Sequence, residues 1–425
     1  MDHEAAFDDP LVEGSGMNPS NSPDTHQRTD IAWITTVFAG IMAALHIWKL
    51  PAAIPVLQDE LHISLILSGV LLGVVQVAGM VGGLAMSLLA EIFSQRKIML
   101  LGLVLLVIGS ALGSLSPSAG MLLGTRIVEG AGVIMCSVMG PGLVRAHAPL
   151  QRMNLAVGWW AAFMGIATFF GVLGTAIALQ FITWQTWWLV LSVLTVVPII
   201  LLLKFVSASA PGGGTGTKLA LKRIAVTASS GKVWMSGVIF GCYTVQWMAI
   251  VGFLPSIFSE DGLSPILGGL FSAVVGGLNA LGAIITGTLL QRGIPGKKLL
   301  IGSFVTMAIT AILTFAIDYS SSLLLIQVLC VGLFSMCGAA VPATMTRISV
   351  DLAPEGGSAP AAMGLMQQIF NIGNFTGPML VAWLVVFTGG WNSTWWVSVV
   401  FGVLGVVMIL LLLPKNSPLN AIQHA

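Results

Sequence analysis

AALHIWKLPAAIPVLQDELHIS, residues Ala43 to Ser64, decides how this chain is read, because it sets His46 and Lys49 inside an apolar run that begins at Ile31. A lysine at the centre of a membrane helix costs roughly 2.5 to 3.5 kcal/mol on insertion scales, so an ionisable group there reads as part of a site or pathway. Spaced three residues apart, His46 and Lys49 fall on one face of a helix. The competing reading is that Lys49 snorkels its ammonium to the headgroups; the shorter His46 side chain has no such reach.

Composition extends that reading to the whole chain. Of 425 residues, 56% are hydrophobic and only 8% charged, with a mean hydropathy of +0.97, whereas soluble domains carry about 25% charged residues. About 20 apolar residues cross a bilayer as a helix. Twelve such segments are expected, at 31–54, 64–89, 98–116, 120–144, 155–180, 184–204, 233–258, 264–290, 299–317, 322–346, 359–387 and 392–413. The fold class is therefore an all-α membrane protein with twelve transmembrane helices.

Residues 1–30 are polar and lack both a basic start and an apolar core, so they read as a disordered tail and not a signal peptide. The expected organisation is that tail, a six-helix bundle at 31–206, a flexible basic linker at 207–232, a second bundle at 233–414 and a short tail at 415–425. GGGTGTK in the linker lacks the spacing of a phosphate loop and follows no strand. Cys136, Cys242, Cys330 and Cys337 lie in apolar segments without metal-ligand spacing and read as structural thiols. No metal, cofactor or nucleic-acid partner is expected, and the protein is expected to act as a monomer in the bilayer.

Lys and Arg orient the helices, since cytoplasmic loops are enriched in both. With the N-terminus inside, fifteen of the seventeen fall in inner loops or at inner helix ends, and the outer loops hold Asp59, Glu60, Glu260, Asp261 and Asp318. Both termini are expected in the cytoplasm, in a bacterial inner membrane. The two remaining cations, Lys49 and Arg126, are intramembrane.

An internal repeat divides the chain. IPVLQDELHIS at 54–64 returns as LPSIFSEDGLS at 254–264, and SLLAEIFSQRK at 87–97 returns as GTLLQRGIPGKK at 287–298, both at an offset of 200. WQTWWLV at 184–190 returns as WNSTWWVSV at 391–399, a tryptophan cluster at the outer end of the sixth helix of each half. Two six-helix parallel repeats follow, with a solute site between them near the midplane.

From Ile31 to Pro414 the chain resembles the major facilitator superfamily. Ser87, Glu91, Ile92, Ser94, Gln95, Arg96 and Lys97 stand over that family's loop pattern between the second and third helices, and Gly287, Gln291, Arg292, Lys297 and Lys298 form the second copy. The resemblance implies a gating latch made by Glu91, Arg96, Lys97 and Arg292, although the pattern's glycines and first arginine are missing from the first copy. The fourth-helix motif RxxxGxG is intact as Arg126, Gly130 and Gly132. Gly171, Val172 and Gly174 replace the proline-containing pattern of drug/proton antiporters, which weighs against drug export. The first-helix cation, the prolines after it and VGWWAAFMG at Val157–Gly165 resemble the branch that includes cyanate and nitroimidazole transporters.

The intramembrane ionisable set is His46, Lys49, Arg126 and Glu129. Two permanent cations against one acid make a positive low-dielectric cleft, so the expected solute is a small anion with Lys49 as charge partner and His46 beside it. Arg126 and Glu129 either contact the solute or only pair with each other one turn apart. Neutral partners are expected from Tyr243, Gln246 and Trp247 on the seventh helix and from Gln367, Asn371 and Asn374 along one face of the eleventh. Trp159 and Trp160 either wall the cavity or pack. Amides of this kind also serve as interhelical glue.

An anion entering a cell with a negative interior is opposed by about 2.3 kcal/mol per charge per 100 mV, so uptake needs a co-transported cation or an exchanged anion. Proton symport through His46, an imidazole with an ordinary pKa near 6.5, or through Glu129, is the expectation. An exchanger or a uniporter of a neutral or zwitterionic solute is the alternative, and a membrane sensor is the rival from another class. Enzymatic motifs such as HExxH or a Ser/His/Asp set find no counterpart.

Overall fold

The computed structural model describes residues 23–207, 217–317, 324–348 and 352–413, and its regular structure there is entirely helical. Twelve helical spans are long and apolar enough to cross a membrane. They are α1 (Asp30–Leu61), α2 (Leu65–Met86), α3 (Gln95–Ser114), α4 (Ala119–His147), α5 (Leu155–Ala178) and α6 (Trp184–Phe205) in the first half. The second half has α7 (Gly231–Glu260), α8 (Pro265–Gln291), α9 (Gly296–Phe315), α10 (Leu324–Ile348), α11 (Ala359–Thr388) and α12 (Trp391–Leu412). Helices are what lipid demands, because each backbone N–H and C=O must find its partner within the segment.

Hydroxyl side chains set several starts. Ser64 accepts from Leu67 N at 3.2 Å ahead of α2, and Ser264 accepts from Leu267 N at 3.4 Å ahead of α8. These caps occupy equivalent places in the two halves, at the offset of the sequence repeat. The acidic stretch after Pro55 differs from expectation. The expected spans leave 55–63 as an outer loop, yet α1 resumes as helix Ile54–Leu61 after a break and a 3-10 turn at Pro51–Ala53. Proline at the start of a helix sacrifices no hydrogen bond, so Pro55 permits the restart. α7 repeats the device, with Gly231–Val251 followed by Leu254–Glu260 around Pro255.

Within the first half, α1 packs on α4, α5 and α6, and α3 packs on α4 and α6. The second half is built likewise, with α7 on α11 and α12 and α9 on α10 and α12. Among the described residues the halves meet chiefly along two seams, α2 against α11 and α5 against α8. Outward faces such as Leu101, Ile108 and Leu112 of α3 and Val193, Val197 and Ile200 of α6 are exposed and apolar, as lipid contact requires.

Candidate functional site

Glycine decides how closely α4 can lie. A Cβ on Gly130 would overlap the Val75 carbonyl of α2, and one on Gly132 would come within 2.5 Å of the Gly102 carbonyl of α3. The two glycines of the RxxxGxG motif thus let α4 sink between its neighbours. That close approach sends Arg126 and Glu129 into the interior, where α1 presents His46 and Lys49. All four side chains are fully buried.

They form one network. Lys49 Nζ donates to Glu129 Oε1 at 2.5 Å, to Ser110 Oγ at 2.8 Å and to His46 Nδ1 at 3.3 Å. The Ser110 hydroxyl donates its own proton to the Trp188 carbonyl, so it can only accept from Lys49. All three ammonium protons are therefore engaged, and the Trp188 ring lies 4.5 Å from the same nitrogen. The ammonium ends on a carboxylate in the interior, so it does not snorkel.

Hydrogen bonding also sets the histidine tautomer. Thr195 Oγ1 donates to the Leu191 carbonyl at 2.7 Å, so at 2.8 Å it accepts from His46 Nε2–H. Nδ1 then carries the lone pair that receives Lys49. Glu129 Oε1 is 3.4 Å from the same Nδ1.

Arg126 has only one of its nitrogens occupied. Nη1 donates to Glu129 Oε2 at 2.5 Å and to the His46 carbonyl at 2.6 Å, while Nε and Nη2 are buried without a hydrogen-bond partner. Arg126 and Glu129 pair with each other one turn apart. The pairing leaves the Nε/Nη2 edge of the guanidinium open. With His46 neutral, the charges of Lys49, Arg126 and Glu129 sum to one positive charge.

The second half contributes neutral groups. Trp247 Nε1 donates to Ser335 Oγ at 3.1 Å, and Asn279 Nδ2 donates to Tyr243 Oη at 3.1 Å and to the Ser335 carbonyl at 2.9 Å. Trp48, between His46 and Lys49 in sequence, meets Trp247 edge to face with ring centroids 5.1 Å apart. This contact joins the charged first half to the neutral second half.

The other expected residues lie elsewhere. Gln246 is fully buried and donates back to the Cys242 carbonyl at 2.8 Å, with Oε1 unpartnered. Asn371 donates to the Gln367 carbonyl at 2.7 Å and lies against Gly79 on the α2–α11 seam; Asn374 is buried farther along α11. Trp160 stacks on Phe163 and fills the space beside Gly40 and Gly140 within the first half, and Trp159 is 48% exposed. Neither tryptophan joins the buried network.

Among the expected latch residues, Arg96 donates to the Leu203 carbonyl of α6 in its own half at 2.8 Å, while Lys97 and Arg292 are exposed. The Glu91 side chain lies outside the described residues.

Sequence reasoning missed Ser110, Thr195, Asn279 and Ser335. An amide inside an apolar span is a usable signal, and it marked Asn371 but was overlooked at Asn279. Hydroxyls inside apolar helices are too common, being satisfied by the preceding turn, to flag Ser110 or Thr195.

Two six-helix halves joined along two seams, with charge buried in the interior, define a membrane transport protein. Residues 33–334 and 238–424 match the Major Facilitator Superfamily, and the chain belongs to that family of secondary transporters, which move small solutes across membranes by alternating access. The cyanate transport protein CynX of Escherichia coli K12 is 26% identical over 208 residues, covering 48% of this chain and 53% of CynX, so the match spans about half of that relative. The inner membrane metabolite transport protein YgcS of the same organism is 23% identical over 305 residues, 64% of this chain and 67% of YgcS. A bacterial homologue of the human lysosomal transporter Spinster, solved inward-facing and unoccupied, shares the fold with a TM-score of 0.72 at 13% identity, covering 93% of this chain and 98% of its own.

Proposed function

We propose that the chain takes up a small anion in symport with a proton, with both termini in the cytoplasm of a bacterial inner membrane and the monomer as the working unit. The observation that carries the anion is the open Nε/Nη2 edge of the buried Arg126. Buried donors without partners are costly, about 1–3 kcal/mol each and more when charged. Two parallel N–H groups on a planar guanidinium match a carboxylate or similar oxyanion in bidentate fashion. Lys49, with its donors engaged, supplies field to the same site. This shifts the primary contact from Lys49, favoured by sequence, to Arg126. The similarity to a cyanate transport protein agrees with a small anionic solute.

The network also supports a role for the proton. In the neutral tautomer His46 Nδ1 accepts from Lys49; a proton there turns it into a donor facing the Lys49 ammonium and Glu129 Oε1. His46 then competes with Lys49 for the carboxylate and releases the ammonium toward an incoming anion. Proton and anion thereby favour each other's binding. Glu129 is the alternative carrier, although its two oxygens already hold Lys49 and Arg126.

A thermal-shift panel of small carboxylates, cyanate and nitro-heterocycles, each beside a neutral isostere, tests the anion. Stabilisation by anions and not by their isosteres is expected; equal stabilisation would move the reading to a neutral solute. For orientation, reporters fused at the C-terminus and placed near Glu260 should fall on opposite sides of the membrane.

A further inference from the structure

Between α6 and α7 the chain forms a short helix, Thr217–Ala228, that contacts both α2 and α11 and so touches the two halves at one of their seams. Thr227 is its buried anchor. The Thr227 hydroxyl accepts from Ser358 N at 2.9 Å, directly before α11. Away from Thr227 the helix is open: Leu219 (51% exposed), Lys222 and Val226 (36%) share one face, flanked by the exposed Arg223 on one side and Leu221 (50%) on the other. From Thr217 to Trp234 the sequence has four cations and no acid.

Depth in the membrane comes from a separate contact. Trp234, in the first turns of α7 and 48% exposed, donates from Nε1 to the Ala228 carbonyl at 2.8 Å. Tryptophans at the ends of spans sit at headgroup level. The helix is thereby held at the membrane surface, with its apolar and basic side chains on the face away from the protein. Apolar side chains beside cations at that depth match acyl chains beneath anionic headgroups.

We propose that the outer face of Thr217–Ala228 is a docking surface for anionic phospholipid. A lipid held there contacts a helix that touches both α2 and α11 at this end of the seam. The interaction depends on Lys222 and Arg223 and on no feature of the solute site.

The test is amide hydrogen exchange of the full-length protein in nanodiscs of phosphatidylcholine alone and of equimolar phosphatidylcholine and phosphatidylglycerol, with α9 as internal reference. Exchange within 217–228 should slow in the phosphatidylglycerol discs by on the order of 30-fold for two membrane-facing cations. The double substitution Lys222→Gln/Arg223→Gln should abolish the difference, and the charge-preserving pair Lys222→Arg/Arg223→Lys should keep it. Equal exchange of the wild type in the two lipids would overturn the proposal and leave the face to solvent or a protein. A difference that survives in the Gln/Gln variant would overturn it as well, by assigning the lipid effect to other cations.

Discussion

Replacing Arg126 with lysine separates charge from geometry. The positive charge stays, but the Nε/Nη2 edge is lost, and an ammonium offers the anion one bond where the guanidinium offers two. Charge-assisted hydrogen bonds contribute about 1.5–3 kcal/mol each, so losing one should weaken anion binding by about 10- to 150-fold. The empty protein should suffer less. Its loss of the Nη1 bonds to Glu129 and to the His46 carbonyl is offset by removing donors that were buried without partners. The assay is a thermal-shift titration of wild type and Arg126→Lys with the most stabilising anion of the panel, each referred to its own empty melting temperature. Undiminished affinity in Arg126→Lys would refute the bidentate contact. So would an equal loss for the neutral isostere, because then the substitution acts on the fold and not on the anion.

Lys49→Ala removes the partner that neutralises half of Glu129 and should abolish anion binding, whereas Lys49→Arg should retain part of it because the charge remains; equilibrium binding of the same anion by both variants decides this. His46→Gln should remove the acceleration of uptake by an acid exterior in proteoliposomes while counterflow exchange persists, and a wild type indifferent to the imposed pH gradient would turn the account to anion exchange. Gly130→Ala forces α4 away from the Val75 carbonyl and should cost about 1–3 kcal/mol in thermal unfolding, while Gly124→Ala, with no atom within 4 Å of the added carbon, should be neutral or slightly stabilising.

The twelve spans, the two halves and the suspicion attached to His46, Lys49, Arg126 and Glu129 are written in the sequence. Lipid leaves the backbone only one way to satisfy itself, so apolar length alone announces a helix. An ionisable group in such a run stands out because burying it is costly. The repeat is legible because Pro55 and Pro255 make the same break in α1 and α7. What the sequence cannot express is which helix faces meet. Lys49 finds Ser110 and Glu129 at separations of 61 and 80 residues, and His46 finds Thr195 at 149. Only those meetings show that the Lys49 donors are all engaged and that the open edge belongs to Arg126. Tertiary packing also sent Trp160 into the gap beside Gly40 and Gly140, away from the charged network, and brought Asn279 to Tyr243. Hydrogen-bond saturation belongs to groups in contact, and contact between helices is settled by their packing.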